Sequence, residues 1–384
     1  MGEAVLIAAQ SGRALAQAAR RAGLRPYVAD LFGDADTLAL AETCRVMPGR
    51  FGRGMVPEAA LDALDGLAAE AGDSLGVVLG SGFEDDPALI ADIARRHRLI
   101  GASAETVAVL KDPFAFAALC ARLGVPHPAV SAGPVDDPSR WLAKARGGSG
   151  GGHIRPAETA MPEPGHYLQA RVPGRPYALN GLAAGGDVQV LALTEQWCSP
   201  APGRPFRYGG AVAFAEGETG PLPAPLVAAI TRAAGRIVAA TGLTGLFSAD
   251  FLSDGSEWWL TEINPRPGAT LDVLDRRSRP LLPAHVAACL SGGRQIDLGA
   301  PPVDAAASAI CYAGCDHAPV PTVAWPPHVR DRPGAGTVVR RDAPLCTVFA
   351  TGANGAAART ALHERVGRLR MALNENPQDE EASR

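Results

Sequence analysis

Near the start of the chain, apolar residues come in short runs that each stop at glycine or a polar turn. AVLIAA (4–9) ends at Gln10-Ser11-Gly12-Arg13, and an amphipathic stretch over 14–22 closes at Gly23. PYVADLF (26–32) is a second run, GVVLGSG (76–82) a third and RLIGAS (98–103) a fourth. Runs of this length bounded by turn residues predict buried strands. DPALIADIARRH, after the third, predicts a helix with Asp86 as N-cap and Pro87 in the first turn. Strands alternating with helices over residues 1–105 predict a Rossmann-like parallel sheet, with ligand loops at the carboxyl ends of its strands.

The pattern then changes. AETVAVLKDPFAFAALCARLGVPHP predicts one helix up to Gly124, ended by Pro126 and Pro128. Residues 129–172 predict short strands around a glycine-rich loop. Residues 173–304 read as α+β, with a helix at 223–241 followed by the strands GLFSADFLS and EWWLTEINP, joined at Asp254-Gly255-Ser256. Residues 305–374 predict a strand-rich region with a final helix from about 354. The segment 375–384 predicts a charged, disordered tail. The fold class is thus α/β joined to α+β, with divisions at 1–105, 106–172, 173–304, 305–374 and 375–384.

Composition narrows the function. Hydrophobic residues make up 47% and charged residues 20%, enough for a sizeable core. The net charge of −4 argues against nucleic acid as the partner. No apolar run reaches the length of a membrane span. The first residues, MGEAVLIAAQ, lack the basic region of a signal peptide, so a cytoplasmic location is expected. Seven dispersed cysteines predict reduced thiols. CYAGCDH (Cys311, Cys315, His317) offers zinc-type donors but not the paired CxxC rhythm.

Two constellations carry chemistry. The chain has 34 arginines and only two lysines, Lys111 and Lys144. Lys144 ends the strand-like WLAK and leads into Gly147-Gly148-Ser149-Gly150-Gly151-Gly152. Glycines let backbone N–H groups turn inward as an anion nest, and an ammonium beside them adds a point charge for phosphate. A flexible linker would have the same composition. There is no GxxxxGK[ST], and QSGRAL after the first strand is not GxGxxG, which excludes a P-loop and a dinucleotide fingerprint. The second constellation is SADFLSDGSEWWLTEINPRP. Glu262 and Asn264 share a strand face, and a hairpin brings Asp250 opposite or near them. Two carboxylates and an amide oxygen suit Mg²⁺, and Arg266 follows on the same face as a hold for a transferring phosphoryl group. A polar outer face on an ordinary hairpin is the competing reading.

Lys-x-x-Gly-Gly-x-Gly-Gly-Gly followed by DF…DG…EINPRP resembles the ATP-grasp superfamily over residues 1–300. The resemblance implies a Rossmann-like N-terminal domain, a lid with the glycine loop, and a metal-binding α+β domain, with ATP between the last two. It implies Lys144 on the phosphates, the glycine loop as a mobile cover, and Asp250, Glu262 and Asn264 as ligands of Mg²⁺, two ions in all, with Mn²⁺ as a substitute. Arg266 would contact the γ-phosphate or an acyl phosphate. HYLQARVPGRP resembles the family's hinge, where backbone groups of Gln169, Ala170 and Val172 would bind adenine. The family's first ATP-binding lysine falls at Pro113, with Lys111 two residues upstream as its replacement. Gln169 stands where many members have Glu, and Pro176 where several have an acid. The activity implied is an amide-forming ligase that activates a carboxylate as an acyl phosphate for an amine. QARVPGRP and FRYGGA (206–211) resemble the branch with tyramine–glutamate ligases of methanofuran biosynthesis. WPPHVRDRPGAGTVV…APLCTVFATG resembles ATP-grasp proteins of tetrahydromethanopterin-linked C1 pathways. A biotin-carboxylase resemblance is weaker, because PRPGATLDVLD lacks that family's continuation. Arg13, Ser81, Gly82 and Tyr208 are expected around the substrates, small-molecule carboxylates and amines; a homodimer is one open assembly, and the sequence does not reveal the oligomeric state. An ATP-dependent phosphotransferase and a non-catalytic nucleotide-binding relative remain open.

Overall fold

The first run of the chain, Ala4–Ala8 (β1), is completely buried, as a strand covered on both faces must be. It is central in the computed structural model, which describes residues 2–375 except 219 and 294. It is followed by α1 (Arg13–Arg21), β2 (Arg25–Asp30), α2 (Ala35–Leu40), β3 (Thr43–Val46), α3 (Pro57–Ala71), β4 (Ser74–Leu79), α4 (Pro87–Arg96) and β5 (Leu99–Ile100). The five strands form a parallel sheet in the order β3-β2-β1-β4-β5. The order reverses at β1, so the loops after β1 and β4 open side by side. Asp86 caps α4 through the Leu89 amide at 2.9 Å, as its sequence predicts.

The single helix expected up to Gly124 is two. α5 (Ala104–Lys111) stops at Asp112, and α6 (Pro113–Arg122) begins at once. Asp112 accepts from the amides of Phe114 and Ala115, and Pro113 takes the first helical position, where an N–H is not needed. The break leaves Lys111 at the last turn of α5, which packs against β14.

A four-stranded antiparallel sheet follows, with β6 (Val130–Ser131), β7 (Trp141–Ala145), β8 (Ile154–Pro156) and β9 (His166–Ala170) in the order β6-β9-β7-β8. The largest sheet takes β10 (Arg175–Ala184), β11 (Asp187–Cys198), β12 (Tyr208–Ala213), β13 (Gly245–Ser253), β14 (Trp258–Asn264), β15 (Ala305–Tyr312), β16 (Val329–Arg330) and β17 (Pro344–Gly352). Its order is β14-β13-β10-β11-β12-β15-β17-β16. The helices α7 (Ala224–Thr241), α8 (Leu271–Leu274), α9 (Leu281–Leu290) and α10 (Gly355–Ala372) complete the described fold. The segment read as a separate strand-rich region therefore extends the same sheet as the β13–β14 hairpin, because β15 pairs with β12 in register Gly210↔Ala309 to Ala213↔Ala306.

The tail does not begin at 375 as expected. Glu375 is 4% exposed and accepts from the Gly314 amide at 2.9 Å. It also pairs with Arg370 at 2.9 Å and with His317 at 2.7 Å. That pairing answers the CYAGCDH question locally: His317 and Cys315 lie with Glu375, whose carboxylate is already held by a guanidinium. Residues 376–384 lie outside the described residues. Among the described residues no helix is long and apolar enough to cross a membrane.

Candidate active site

Period-two alternation along β14 sends Glu262 and Asn264 to one face, and the hairpin register sets Asp250 directly opposite Glu262 and Ser248 opposite Asn264. Asn264 Nδ2 donates to Asp250 Oδ2 at 2.9 Å and to Glu262 Oε1 at 3.0 Å, drawing the carboxylates together. Like charges so close drive their protons apart. Burial, then Glu262, pushes the Asp250 carboxyl up to about 7. Burial works the same way on Glu262, but Lys111 and Lys144 outweigh it and hold that carboxylate well below the usual range. Asp250 Oδ1 is buried with no hydrogen-bond partner. A hard oxygen atom left open beside a second carboxylate fits a divalent cation with oxygen preference, so the two carboxylates suit Mg²⁺, while Asn264 turns its amide nitrogen to them and its oxygen to Lys111.

Both lysines reach this point. Lys144 sits on β7, is 6% exposed, and donates to Gln169 Oε1 at 3.2 Å. Burial lowers its pKa, with Glu262 and Asp250 opposing. Lys111 comes from the end of α5 and donates to Asn264 Oδ1 at 3.0 Å, with Glu262 Oε2 at 3.5 Å. The helix break at Asp112 is what aims it there. The only two lysines in the chain therefore converge, one from a helix end and one from a strand, on one carboxylate.

The glycine loop bridges β7 and β8 and is docked on both sides. A Cβ on Gly147 would lie 2.2 Å from Asp85 Cβ in the loop after β4. One on Gly151 would lie 2.0 Å from the Phe206 carbonyl oxygen, and both residues have φ near +70°. Only glycine meets both demands. Next to Gly151, the Gly150 carbonyl accepts from the Tyr208 amide at 2.8 Å. Ser149, Gly150 and Gly151 line the cleft, whereas Gly147 and Gly148 form the loop's anchored edge. His153, read from the sequence as a loop residue, lies in the turn before β8, half-buried along the cleft, with its Nδ1 buried. Burial and then Lys144 lower its pKa to about 4, so it is neutral, and its Nδ1 has no partner.

The N-terminal sheet closes the other side. Arg266 Nε donates to Glu84 Oε1 at 2.6 Å, and Nη2 to Asn264 Oδ1 at 3.4 Å. Glu84 was not singled out in the sequence; its signal was an acid in SGFED, just past the strand at the sheet's reversal point. Glu84 Oε2 also accepts from the Gly82 amide at 2.6 Å, so Gly82 serves Glu84 and does not line the cleft, while Ser81 does. Arg13, expected to hold a substrate carboxylate, lines the cleft but is already paired. Its guanidinium forms a bidentate pair with Asp272 and bonds Asp331 at 2.9 and 3.1 Å. The partners lie 259 and 318 residues away, beyond the reach of any local pattern. Tyr208 does line the cleft, with its hydroxyl buried.

The cleft has a volume of about 650 Å³. One end lies under Gln169, Ala170 and Val172, at the hinge between the small and large sheets. The Ala170 amide is spent on the Ala129 carbonyl at 2.8 Å, and that of Arg171 on the Arg140 carbonyl at 2.8 Å. A purine there would use the carbonyls of this stretch or the Val172 amide. The other end passes the carboxylate pair and runs between the loop after β1, strands β12 and β15, and the segment around β16 and β17.

Residues 113–270 match the family described as ATP-grasp domain. Among solved structures, biotin carboxylase from Campylobacter jejuni in a β,γ-ATP complex has a TM-score of 0.69 at 15% identity, over 97% of this chain and 91% of that one. Carboxyaminoimidazole ribonucleotide synthase from Aspergillus clavatus complexed with ATP scores 0.67 at 13% identity, over 95% and 99%. N5-carboxyaminoimidazole ribonucleotide synthetase from Thermus thermophilus scores 0.63 at 18%, over 97% and 99%. At these identities the likeness is one of fold. No curated protein sequence matches the chain.

Proposed function

From the ATP-grasp domain that the chain carries over residues 113–270, we propose an ATP-dependent carboxylate–amine ligase working through an acyl phosphate. One observation carries the reading: Asp250, Glu262, Asn264, Lys111, Lys144 and Arg266 converge midway along a cleft that has room on both sides. A nucleotide would lie under the hinge and glycine loop, with its phosphates at the lysines. A carboxylate oxygen then attacks the γ-phosphorus, and ADP leaves with the electrons of the broken P–O bond. The amine nitrogen next attacks the acyl carbon, the C–O bond to phosphate breaks, inorganic phosphate leaves, and the nitrogen's proton passes to water. Mg²⁺, held by Asp250, Glu262 and Asn264, would supply charge neutralisation at the phosphates. Lys144 and Lys111 do the same from fixed positions, which is the main work in phosphoryl transfer. Arg266, oriented by Glu84, faces the transferring group. The docked loop keeps water from the acyl phosphate.

A narrower version is glutamate ligation in making a methanofuran- or tetrahydromethanopterin-type carrier of one-carbon units. It is supported by the sequence resemblances at QARVPGRP, FRYGGA and APLCTVFATG. The test is ADP release from Mg-ATP with L-glutamate, alone and with pools of amines and carrier precursors, reading products by mass. A product of acid plus amine less one water is expected. ADP release that depends on bicarbonate instead would make the protein a carboxylase, and a phosphorylated product would make it a phosphotransferase.

A further inference from the structure

The segment between β3 and α3 reads Met47-Pro48-Gly49-Arg50-Phe51-Gly52-Arg53-Gly54-Met55, with a glycine at every turn it makes. It folds back on itself. Gly49 and Met55 form an antiparallel bridge, and the Arg53 amide donates to the Arg50 carbonyl at 3.0 Å, with Gly52 in the tip at φ 78°. Residues 49–55 are therefore a small flap. Phe51 and Gly52 line the cleft, and the Phe51 ring lies 5.9 Å from that of Phe32, which lines it too.

The flap stands against the glycine loop. A Cβ on Gly52 would lie 3.7 Å from the Ser149 carbonyl oxygen, so the two tips meet. Behind the tips they share one seat. A Cβ on Gly54 would lie 2.1 Å from Asp85 Oδ2, and one on Gly147 would lie 2.2 Å from Asp85 Cβ. Gln10, just past β1 and 1% exposed, holds the flap down. Its Nε2 donates to the Arg53 carbonyl, and its Oε1 accepts from the Gly52 amide at 3.1 Å. Its main chain ties the neighbouring loops: the Gln10 amide donates to the Ser81 carbonyl at 2.8 Å, and its carbonyl accepts from the Leu31 amide at 3.2 Å. One residue of the cleft wall thus joins the loops that follow β1, β2, β3 and β4. A buried amide whose two side-chain bonds both go to the flap loses both when the flap lifts, and that loss keeps it seated.

We propose that residues 49–55 are a second lid and that Gln10 is the positioning residue that keeps it closed on the glycine loop. The glycine loop covers the cleft from the four-stranded sheet. The flap covers it from the parallel sheet, and together they keep bulk water from the acyl carbon. With the flap open, a water oxygen attacks that carbon, the C–O bond to phosphate breaks, and carboxylic acid and phosphate leave with no amide formed. The lid is a property of the fold; what it protects rests on the ligase reading.

Trypsin reads the flap directly, because it cuts after Arg50 and Arg53 and the Arg53 carbonyl is the one Gln10 holds. Cleavage of a seated loop follows the population that opens. In the full chain, Gln10→Ala should speed cutting at Arg50 and Arg53 about tenfold, with cutting after Arg96 at the end of α4 unchanged. Mg-ADP affinity should stay within about twofold of the wild type. Gly52→Ala strains the tip from outside the core and should act the same way, which covers the case of a Gln10 variant that does not fold. With a productive acid and amine, phosphate and amide should form in equal amounts in the wild type. Phosphate should exceed amide severalfold in both variants, a ratio that lost stability alone does not move. Unchanged cutting at Arg50 and Arg53 in both variants would overturn the lid. Faster cutting there with no amide in any pool would sink the ligase reading and leave the lid standing. Faster cutting with phosphate and amide still equal would leave the ligase reading standing and overturn the lid's part in it.

Discussion

Asp250 and Glu262 face each other across β13 and β14, with both lysines drawing on Glu262 and one Asp250 oxygen left open. Glu262→Gln keeps the shape and removes the charge that the lysines balance. Turnover should fall by about a hundredfold or more with the thermal transition preserved, and wild-type rates would remove the assignment. Lys144→Ala should weaken Mg-ADP binding by about tenfold, read by calorimetry, because the proposed function sets the buried ammonium at the loop's root against the phosphates; unchanged affinity would remove that role. Asp34 gives a pH prediction. Its folded pKa of about 6 lies above the ordinary 3.8, so the folded state holds the proton longer than the unfolded chain. The penalty is absent below about pH 4, grows as pH rises, and is complete above about pH 6. Asp34→Asn, which keeps the helix cap, should flatten that part of the stability curve in denaturant titrations across about pH 4 to 7. At this scale Asp250, Glu262 and Asn264 were legible because strand alternation is local. Glu84 and the pairs of Arg13 were not, because nothing in SGFED or SGR names an arginine or aspartate hundreds of residues away.

The glycine loop was legible as an element, and its docking was not. Composition announced backbone freedom beside Lys144. It could not announce that Gly147 meets Asp85 or that Gly151 meets Phe206. Gly151→Ala should leave the fold intact and prevent the loop from seating, since the added carbon meets a carbonyl at a strained backbone angle. The expected result is a fall in kcat of about tenfold or more, with faster proteolysis within 147–152; unchanged kcat would mean that seating is not needed. The break between α5 and α6 is a similar case. Apolar spacing runs through Asp112-Pro113 and predicts one helix, but the cap and the proline split it, and the split aims Lys111.

In the whole molecule, the parallel sheet, the hinge sheet and the large antiparallel sheet meet at one cleft. Sequence pattern found the first and the β13–β14 hairpin. It set residues 305–374 apart because the pairing of β15 with β12 spans about a hundred residues and leaves no periodic trace. The buried Arg13–Asp272 pair helps tie α1 to α8, and Arg13–Asp331 ties it to the segment after β16. Removing one partner leaves a buried guanidinium short of its counter-charge. Asp272→Ala should therefore destabilise the protein by about 3–5 kcal/mol in denaturant unfolding. A loss near zero would mean that Asp331 and water suffice. The central claim is ligation through an acyl phosphate. It is tested most directly by supplying Mg-ATP, an amine and a carboxylate whose oxygens carry a heavy isotope, and weighing the released phosphate. The account predicts one heavy oxygen in the phosphate and an amide that has lost it. Phosphate without the label, or ADP release indifferent to the carboxylate, would contradict it.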